Sequence, residues 1–158
     1  MKRLATTVVA AVCLLLAACA SGPSRRLSEP AANIQQLTVR ADGSWSLDVR
    51  INNFSNVPMR FDGLNLAMAV SDVAAGTLSA RPGLSIGPES ADVATVTLTP
   101  SSAARVIVAD ALARGTSVHY ALEGGIDAAP ENGSAHTYQI KRSSNTLGAV
   151  PGLPGVLR

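Results

Sequence analysis

Residues 42–58, DGSWSLDVRINNFSNVP, contain the clearest secondary-structure pattern in the chain. After Asp42-Gly43, apolar and polar residues alternate, and one face of the run carries the apolar side chains Trp45, Leu47, Val49 and Ile51. A period of two is typical of a β-strand with one buried face. The same alternation precedes the turn, at Leu37 and Val39. Two alternating runs joined by Asp-Gly predict a β-hairpin.

Further strand patterns follow this hairpin. They cover residues 64–70, 76–80, 93–98, 118–122 and 138–140, with a loop or edge strand at 84–86. The alanine-rich segment 103–114 has a different period, with a serine before it for the N-cap and Gly115 after it, and predicts one helix. We therefore predict a mainly β fold: a two-sheet antiparallel sandwich of the immunoglobulin or fibronectin type, with about seven strands and one helix.

The N-terminus has the layout of a secretory signal. Lys2 and Arg3 precede an apolar run of about 15 residues, shorter than the roughly 20 that a spanning helix needs. The run ends in Leu16-Ala17-Ala18-Cys19, which resembles the lipobox of bacterial lipoproteins. An ordinary signal peptide containing cysteines is the alternative. The resemblance implies cleavage between Ala18 and Cys19, and anchoring by acyl chains such as palmitate on Cys19, since two or more chains hold a protein firmly on a membrane. Similarity to enterobacterial sorting signals at Ala20 and Ser21 points to the outer membrane.

Four segments follow from these patterns. Residues 1–18 are the predicted signal peptide, and residues 19–34 are the lipidated cysteine and a tether with a reach of about 45 Å. Residues 35–144 form the sandwich domain. Residues 145–158 are a tail too rich in Gly and Pro for a regular element.

Charge and cysteine usage exclude several classes of protein. Loss of Lys2 and Arg3 with the signal takes the 13 basic residues to 11, which equals the 11 acidic ones, so no basic field remains for nucleic acid. Cys13 leaves with the signal and Cys19 carries lipid, which removes disulfides, cysteine catalysis and thiolate metal sites. We expect no cofactor.

No residue pattern predicts catalysis or metal binding. His119 and His136 lack a metal-ligand spacing, and Gly76-Thr-Leu-Ser-Ala80 lacks the last glycine of a nucleophile elbow. Two pairs of carboxylates, Glu89 with Asp92 and Asp127 with Glu131, lie beside predicted loops and are typical of surface charges. We expect a protein that is not an enzyme.

The order of these elements resembles the late embryogenesis abundant type 2 family, also called the water-stress and hypersensitive-response domain. The residues that carry the likeness include Asn52-Asn-Phe-Ser-Asn-Val-Pro58 after an early strand, where the family has Asn-Pro-Asn. The motif residues here are Asn52, Asn53, Asn56 and Pro58. The resemblance implies a folded sandwich, a link to stress tolerance and no catalytic residues. For Asn53 we weigh turn formation against ligand contact and favour turn formation.

Two functions remain open at this point. The domain is expected to be a binding or scaffolding module that docks an envelope protein through exposed sheet edges or the tail. Alternatively it binds or transfers a lipid or another apolar ligand in a groove between parted sheets. The groove would be lined by small side chains: Ala67, Ala69, Ala94 and Ala121.

Overall fold

The computed structural model describes residues 24–158. Its strands are β1 (Ala31–Val39), β2 (Trp45–Asn53), β3 (Met59–Val70), β4 (Val73–Ala80), β5 (Leu84–Ile86), β6 (Ser90–Leu98), β7 (Ser117–Pro130), β8 (His136–Gly148) and β9 (Val156–Leu157). Within these residues one helix, α1 (Ser102–Arg114), lies between β6 and β7. The predicted two-sheet antiparallel sandwich with one helix is confirmed, with nine strands in place of about seven.

Each sheet is antiparallel and mixes early and late strands. Sheet I has the order β6-β2-β1-β9, and sheet II has the order β4-β3-β7-β8, with the short β5 also paired to β3. The predicted hairpin joins β1 and β2, with Val39 opposite Trp45. Its loop residue Gly43 has φ 80°, and Asp42 accepts hydrogen bonds from the backbone N–H and the hydroxyl of Ser44. This is the three-residue hairpin loop that needs glycine at its left-handed position.

The space between the sheets is filled by the inner-face side chains. Trp45, Leu47, Val49 and Ile51 of sheet I are at most 1% exposed. They pack in one buried cluster with sheet II residues such as Phe61, Leu66 and Leu122. Burial of apolar surface on this scale is the main term that stabilises such a fold.

Irregularities in the strands explain where the sequence pattern missed residues. β3 begins at Met59, five residues before the predicted start, because a register shift between Phe61 and Gly63 breaks the alternation. β7 has a similar shift at Gly124, whose φ is 147°. A Cβ atom at Gly124 would clash with the backbone oxygen of Asn65, so only glycine fits.

Helix α1 covers one end of the sandwich and agrees with the predicted segment to within a residue. Ser101 is its N-cap: the hydroxyl accepts from the Ala104 N–H and donates to the carbonyl of Ala74 in β4. Gly115 ends the helix in a left-handed conformation. The helix therefore lies at the end of the sandwich opposite to the loop that follows Asn53.

Candidate functional site

Asn53 is a buried polar residue at the end of β2. Its side-chain amide donates to the carbonyls of Val57 at 2.9 Å, Ile86 at 3.1 Å and Gly87 at 2.9 Å. Its Oδ1 accepts from the N–H of Ser55 at 2.9 Å. The Asn53 amide thus bonds nearby backbone, as a turn residue does, and it also joins the end of a sheet I strand to β5 of sheet II.

The loop after Asn53 binds the segment that precedes β1. The carbonyl of Ser24 accepts from Asn56 Nδ2 at 2.9 Å, and the Arg26 N–H donates to Asn56 Oδ1 at 2.7 Å. The Asn56 N–H donates to the carbonyl of Arg26 at 3.2 Å. The N–H of Ser28 donates to Ser55 Oγ at 3.0 Å. Ser55 is completely buried under this segment.

A side-chain ion pair closes the same group of contacts. The Arg26 guanidinium donates to Glu89 Oε1 at 2.8 Å and to the carbonyl of Phe54 at 3.2 Å. The Glu89 N–H donates to the carbonyl of Ser55 at 3.0 Å. Because both charged side chains are exposed, the pair itself adds little stability. We call residues 24–28, residues 53–56 and Glu89 the N-terminal clasp.

The clasp corrects the predicted tether of residues 19–34. Residues 31–34 are part of β1, and residues 24–28 are hydrogen-bonded to the domain. Residues 24–28 show no apolar period, because hydrogen bonds of the backbone and of polar side chains hold them in place of buried apolar residues. Ala18, Cys19 and the predicted signal peptide lie outside the described residues.

The other two motif residues have lesser roles. Asn52 points away from the core and its Nδ2 donates to Asn33 Oδ1 of β1 at 3.4 Å. Pro58 borders an open depression of about 290 Å³ beside Arg25 and Glu131. The structure thus brings Asn53 and Asn56 into one hydrogen-bonded unit, whereas Asn52 belongs to the outer face of sheet I.

The tail also differs from the prediction. Residues 145–148 complete β8, and Val156–Leu157 form β9 beside Leu37 and Thr38 of β1. The Val39 N–H donates to the carbonyl of Gly155 at 2.8 Å, and Leu157 is completely buried. Two residues are too short to show an alternation, so the strand could not be identified among the surrounding Gly and Pro.

The four alanines proposed to line a groove do not all lie in one place. Ala67, Ala69 and Ala121 border a shallow depression of about 220 Å³ on the outer face of sheet II, next to Asp72 and Arg142. Ala94 is buried in β6 opposite Val49, in the core of the sandwich. The expected groove between parted sheets is therefore wrong at these residues.

A third opening lies where the edge of β1 meets the edge of β8. This β1–β8 seam is a depression of about 400 Å³ lined by Glu29 to Asn33, Gln139 to Lys141, and Asn145. Further along β1, the buried Tyr120 hydroxyl accepts from the Ile34 N–H at 2.9 Å and donates to the Ile34 carbonyl at 3.3 Å. Burial raises the pKa of Tyr120, and its hydrogen bonds to Ile34 and Asn145 oppose that rise.

The histidines and carboxylates are spread over the surface. His119 Nδ1 lies 3.1 Å from Thr146 Oγ1, and His136 packs edge-on against Tyr138. Asp127 Oδ1 accepts from the hydroxyl of Thr137 at 2.6 Å. Among residues 24–158, no three His, Cys, Asp or Glu side chains are grouped so that they could hold a metal ion. No helix in that range is long and apolar enough to span a membrane.

Sequence reasoning missed Arg26, Ser55, Glu89 and Tyr120 as residues that join segments. Ser55 could have been identified from the sequence. In an Asx turn, the residue two positions after the Asn donates its N–H to the Asn side chain. The other three act over separations of 28 to 86 residues along the chain, which no local pattern indicates.

The fold is shared with a solved structure, although no protein-family model and no curated protein matches the chain. The solution structure of AT1g01470 from Arabidopsis thaliana is similar with a TM-score of 0.51 and 12% identity, over 82% of this chain and 87% of that one. A protein from Archaeoglobus fulgidus gives a TM-score of 0.46 and 13% identity, over 79% of this chain and 98% of that one. At these identities the likeness to the Arabidopsis protein shows a common fold alone.

Proposed function

We propose that this chain is a lipid-anchored protein of the bacterial cell envelope, held in the outer membrane through Cys19 with its sandwich facing the periplasm. The sandwich is a non-catalytic binding or scaffolding module that resembles the late embryogenesis abundant type 2 family and is linked to stress tolerance. The lipobox Leu16-Ala17-Ala18-Cys19 supports the anchor. The order of the elements supports the family resemblance.

The filled interior is the observation that favours docking of a partner over carriage of a lipid. A site that carries a lipid must bury most of the ligand, in an apolar cleft or cavity that is commonly about 300–1,000 Å³ in volume. Here the inner faces of the two sheets pack against each other, and the depressions at the alanines and at the β1–β8 seam open to the outside. The binding surface is accordingly the exterior of the sandwich.

Sheet edges offer the surface for such docking. β8 is 13 residues long and lies at the edge of sheet II, where it pairs with β7 on one side and leaves its other side unpaired within the sheet. An extended segment of a partner can add to an edge strand through main-chain hydrogen bonds. Lys141 and Arg142 are exposed on β8, and charges at such positions limit non-specific pairing of edges.

Substitution of the two cysteines tests the anchor. We expect Cys19→Ala to abolish incorporation of a clickable fatty acid and to leave an uncut precursor whose domain still folds. Cys13→Ala is the matched control, because it removes a thiol from the signal without touching the lipobox. Fatty-acid labelling of Cys19→Ala at the wild-type level would contradict the lipoprotein assignment.

Native mass spectrometry of residues 22–158, purified from a bacterial periplasm without refolding, separates the two functions. Because the core is filled, we expect the measured mass to equal that of the protein without a bound ligand. A reproducible phospholipid or fatty-acid adduct would instead support the alternative function, a lipid or apolar-ligand binder of the envelope.

A further inference from the structure

The two ends of the sandwich carry different structures. The clasp, the loop 87–89 and the loop 131–135 lie at the end where β1 begins, because antiparallel pairing places the end of β2, the start of β3 and the end of β7 there. Helix α1, the turn at 71–72 and most of the tail lie at the other end. We call these the clasp end and the helix end.

The clasp sets how far the domain can move from Cys19. Within residues 24–158, Ser24 is the first residue bound to the domain, through its carbonyl and Asn56 Nδ2. Five residue steps separate it from Cys19, and a fully extended chain covers at most about 3.6 Å a step, which gives about 18 Å. Strand β3, with 12 residues, is by itself about 40 Å long. A lipid on Cys19 therefore keeps the clasp end near the bilayer and leaves the helix end out of its reach.

The side chains at the clasp end suit a lipid surface. Leu27 and Phe54 are 48% and 50% exposed, although both are large and apolar. They lie in one hydrogen-bonded unit, because the Arg26 side chain binds the Phe54 carbonyl. Exposed apolar side chains can enter the boundary between headgroups and acyl chains, and a neighbouring basic side chain such as Arg25 can bind lipid phosphates.

We propose that the clasp end rests on the membrane that holds the anchor, with Leu27 and Phe54 in contact with lipid and with the helix end directed away from the bilayer. This inference rests on the lipidation of Cys19 proposed above. The clasp is then an orienting device, because release of residues 24–28 would lengthen the free chain as far as Pro30. The reach from Cys19 would rise to about 40 Å, and the orientation would be lost.

Energy transfer to the membrane tests this orientation on the full, acylated chain. Single-cysteine variants carry a donor dye at the clasp end (Asn132→Cys), on the outer face of β3 (Asn65→Cys) or at the helix end (Val106→Cys). Each protein is reconstituted in phosphatidylethanolamine–phosphatidylglycerol vesicles with acceptor dye on a small fraction of the headgroups. We expect the transfer efficiency to fall in the order 132, 65, 106. Equal efficiencies, or the reverse order, would overturn the proposed orientation.

Release of the clasp tests its role as the orienting device. Asn56→Ala removes two hydrogen bonds to residues 24–26, and Arg26→Ala serves as a second variant if the first unfolds. We expect the difference in transfer between positions 132 and 106 to fall at least twofold in either variant. Gln139→Ala, at an exposed position on β8, is the control and should leave the difference intact. An unchanged difference in the folded clasp variants would rule out the orienting role.

Intact mass separates failure of the orientation from failure of the anchor. If the protein carries the acyl mass but the transfer efficiency does not fall in the order 132, 65, 106, only the proposed orientation is contradicted. Protein without acyl mass contradicts the proposed anchor, and the orientation falls with it.

Discussion

At the scale of single residues, Asn53 stands out because its side chain binds four backbone groups. We expect Asn53→Ala to lower the free energy of unfolding by about 2–4 kcal/mol, because the buried carbonyl of Ile86 and the part-buried carbonyls of Val57 and Gly87 lose their donor. Asn53→Asp should cost as much at neutral pH, since a carboxylate cannot donate to them. Asn52→Ala is the matched control and should cost less than about 1 kcal/mol. Urea denaturation measures all three, and near-wild-type stability of Asn53→Ala would contradict the assigned role.

Tyr120 gives a prediction with a pH dependence. Tyr120→Phe should lower the free energy of unfolding by about 1–2 kcal/mol at pH 8, because the N–H and carbonyl of Ile34 lose the hydroxyl that they bind. The folded pKa of Tyr120 is raised by burial, so its stabilising contribution is complete below the ordinary value of 10.0 and is lost as the pH rises through the folded pKa.

The stability gap between wild type and Tyr120→Phe should therefore narrow between about pH 10 and the folded pKa. Denaturation at pH 8 and pH 11 measures it. A gap that widened over this range would show that the hydroxyl is not buried in its neutral form.

At the scale of elements, the short β9 turns the tail into part of sheet I. We expect Leu157→Ala to destabilise the domain by about 2–5 kcal/mol, because it leaves a cavity in the core beside Leu37. Leu153→Ala, in the same tail but 47% exposed, should change the stability by less than about 1 kcal/mol. Thermal melting distinguishes them, and equal melting temperatures would show that the tail does not pack on its own domain.

The alternating strands and α1 could be predicted from sequence because one face of each meets a continuous core. From Trp45 to Ile51 an apolar residue recurs at every second position. Ser101 and Gly115 indicate where the helix begins and ends, because their residue types are typical of helix caps. The extension of β8 could not be predicted, because an edge strand with few buried positions has no apolar period. Of the candidate site, the turn at Asn53 followed from its residue types. The contacts of Asn56 with residues 24–26 did not, because they join polar segments that are far apart in sequence.

At the scale of the whole molecule, the clasp makes residues 24–28 part of the folded unit. We expect trypsin to cleave after Arg25 and Arg26 slowly in the wild type, because their backbone is hydrogen-bonded to the loop after Asn53. Asn56→Ala should speed this cleavage about tenfold, as the loss of roughly 1.4 kcal/mol of local stability would. Gln139→Ala should leave the rate unchanged. Equal rates in wild type and Asn56→Ala would show that the segment is not held by this side chain.

The most direct test of the central claim is the intact mass of the protein purified from the membranes of a lipoprotein-processing bacterium. We predict a mature chain that begins at Cys19, without the 18 preceding residues, and that carries the added mass of a diacylglycerol and a further acyl chain. A chain cut elsewhere, or one that begins at Cys19 without lipid, would contradict the account of an anchored envelope protein.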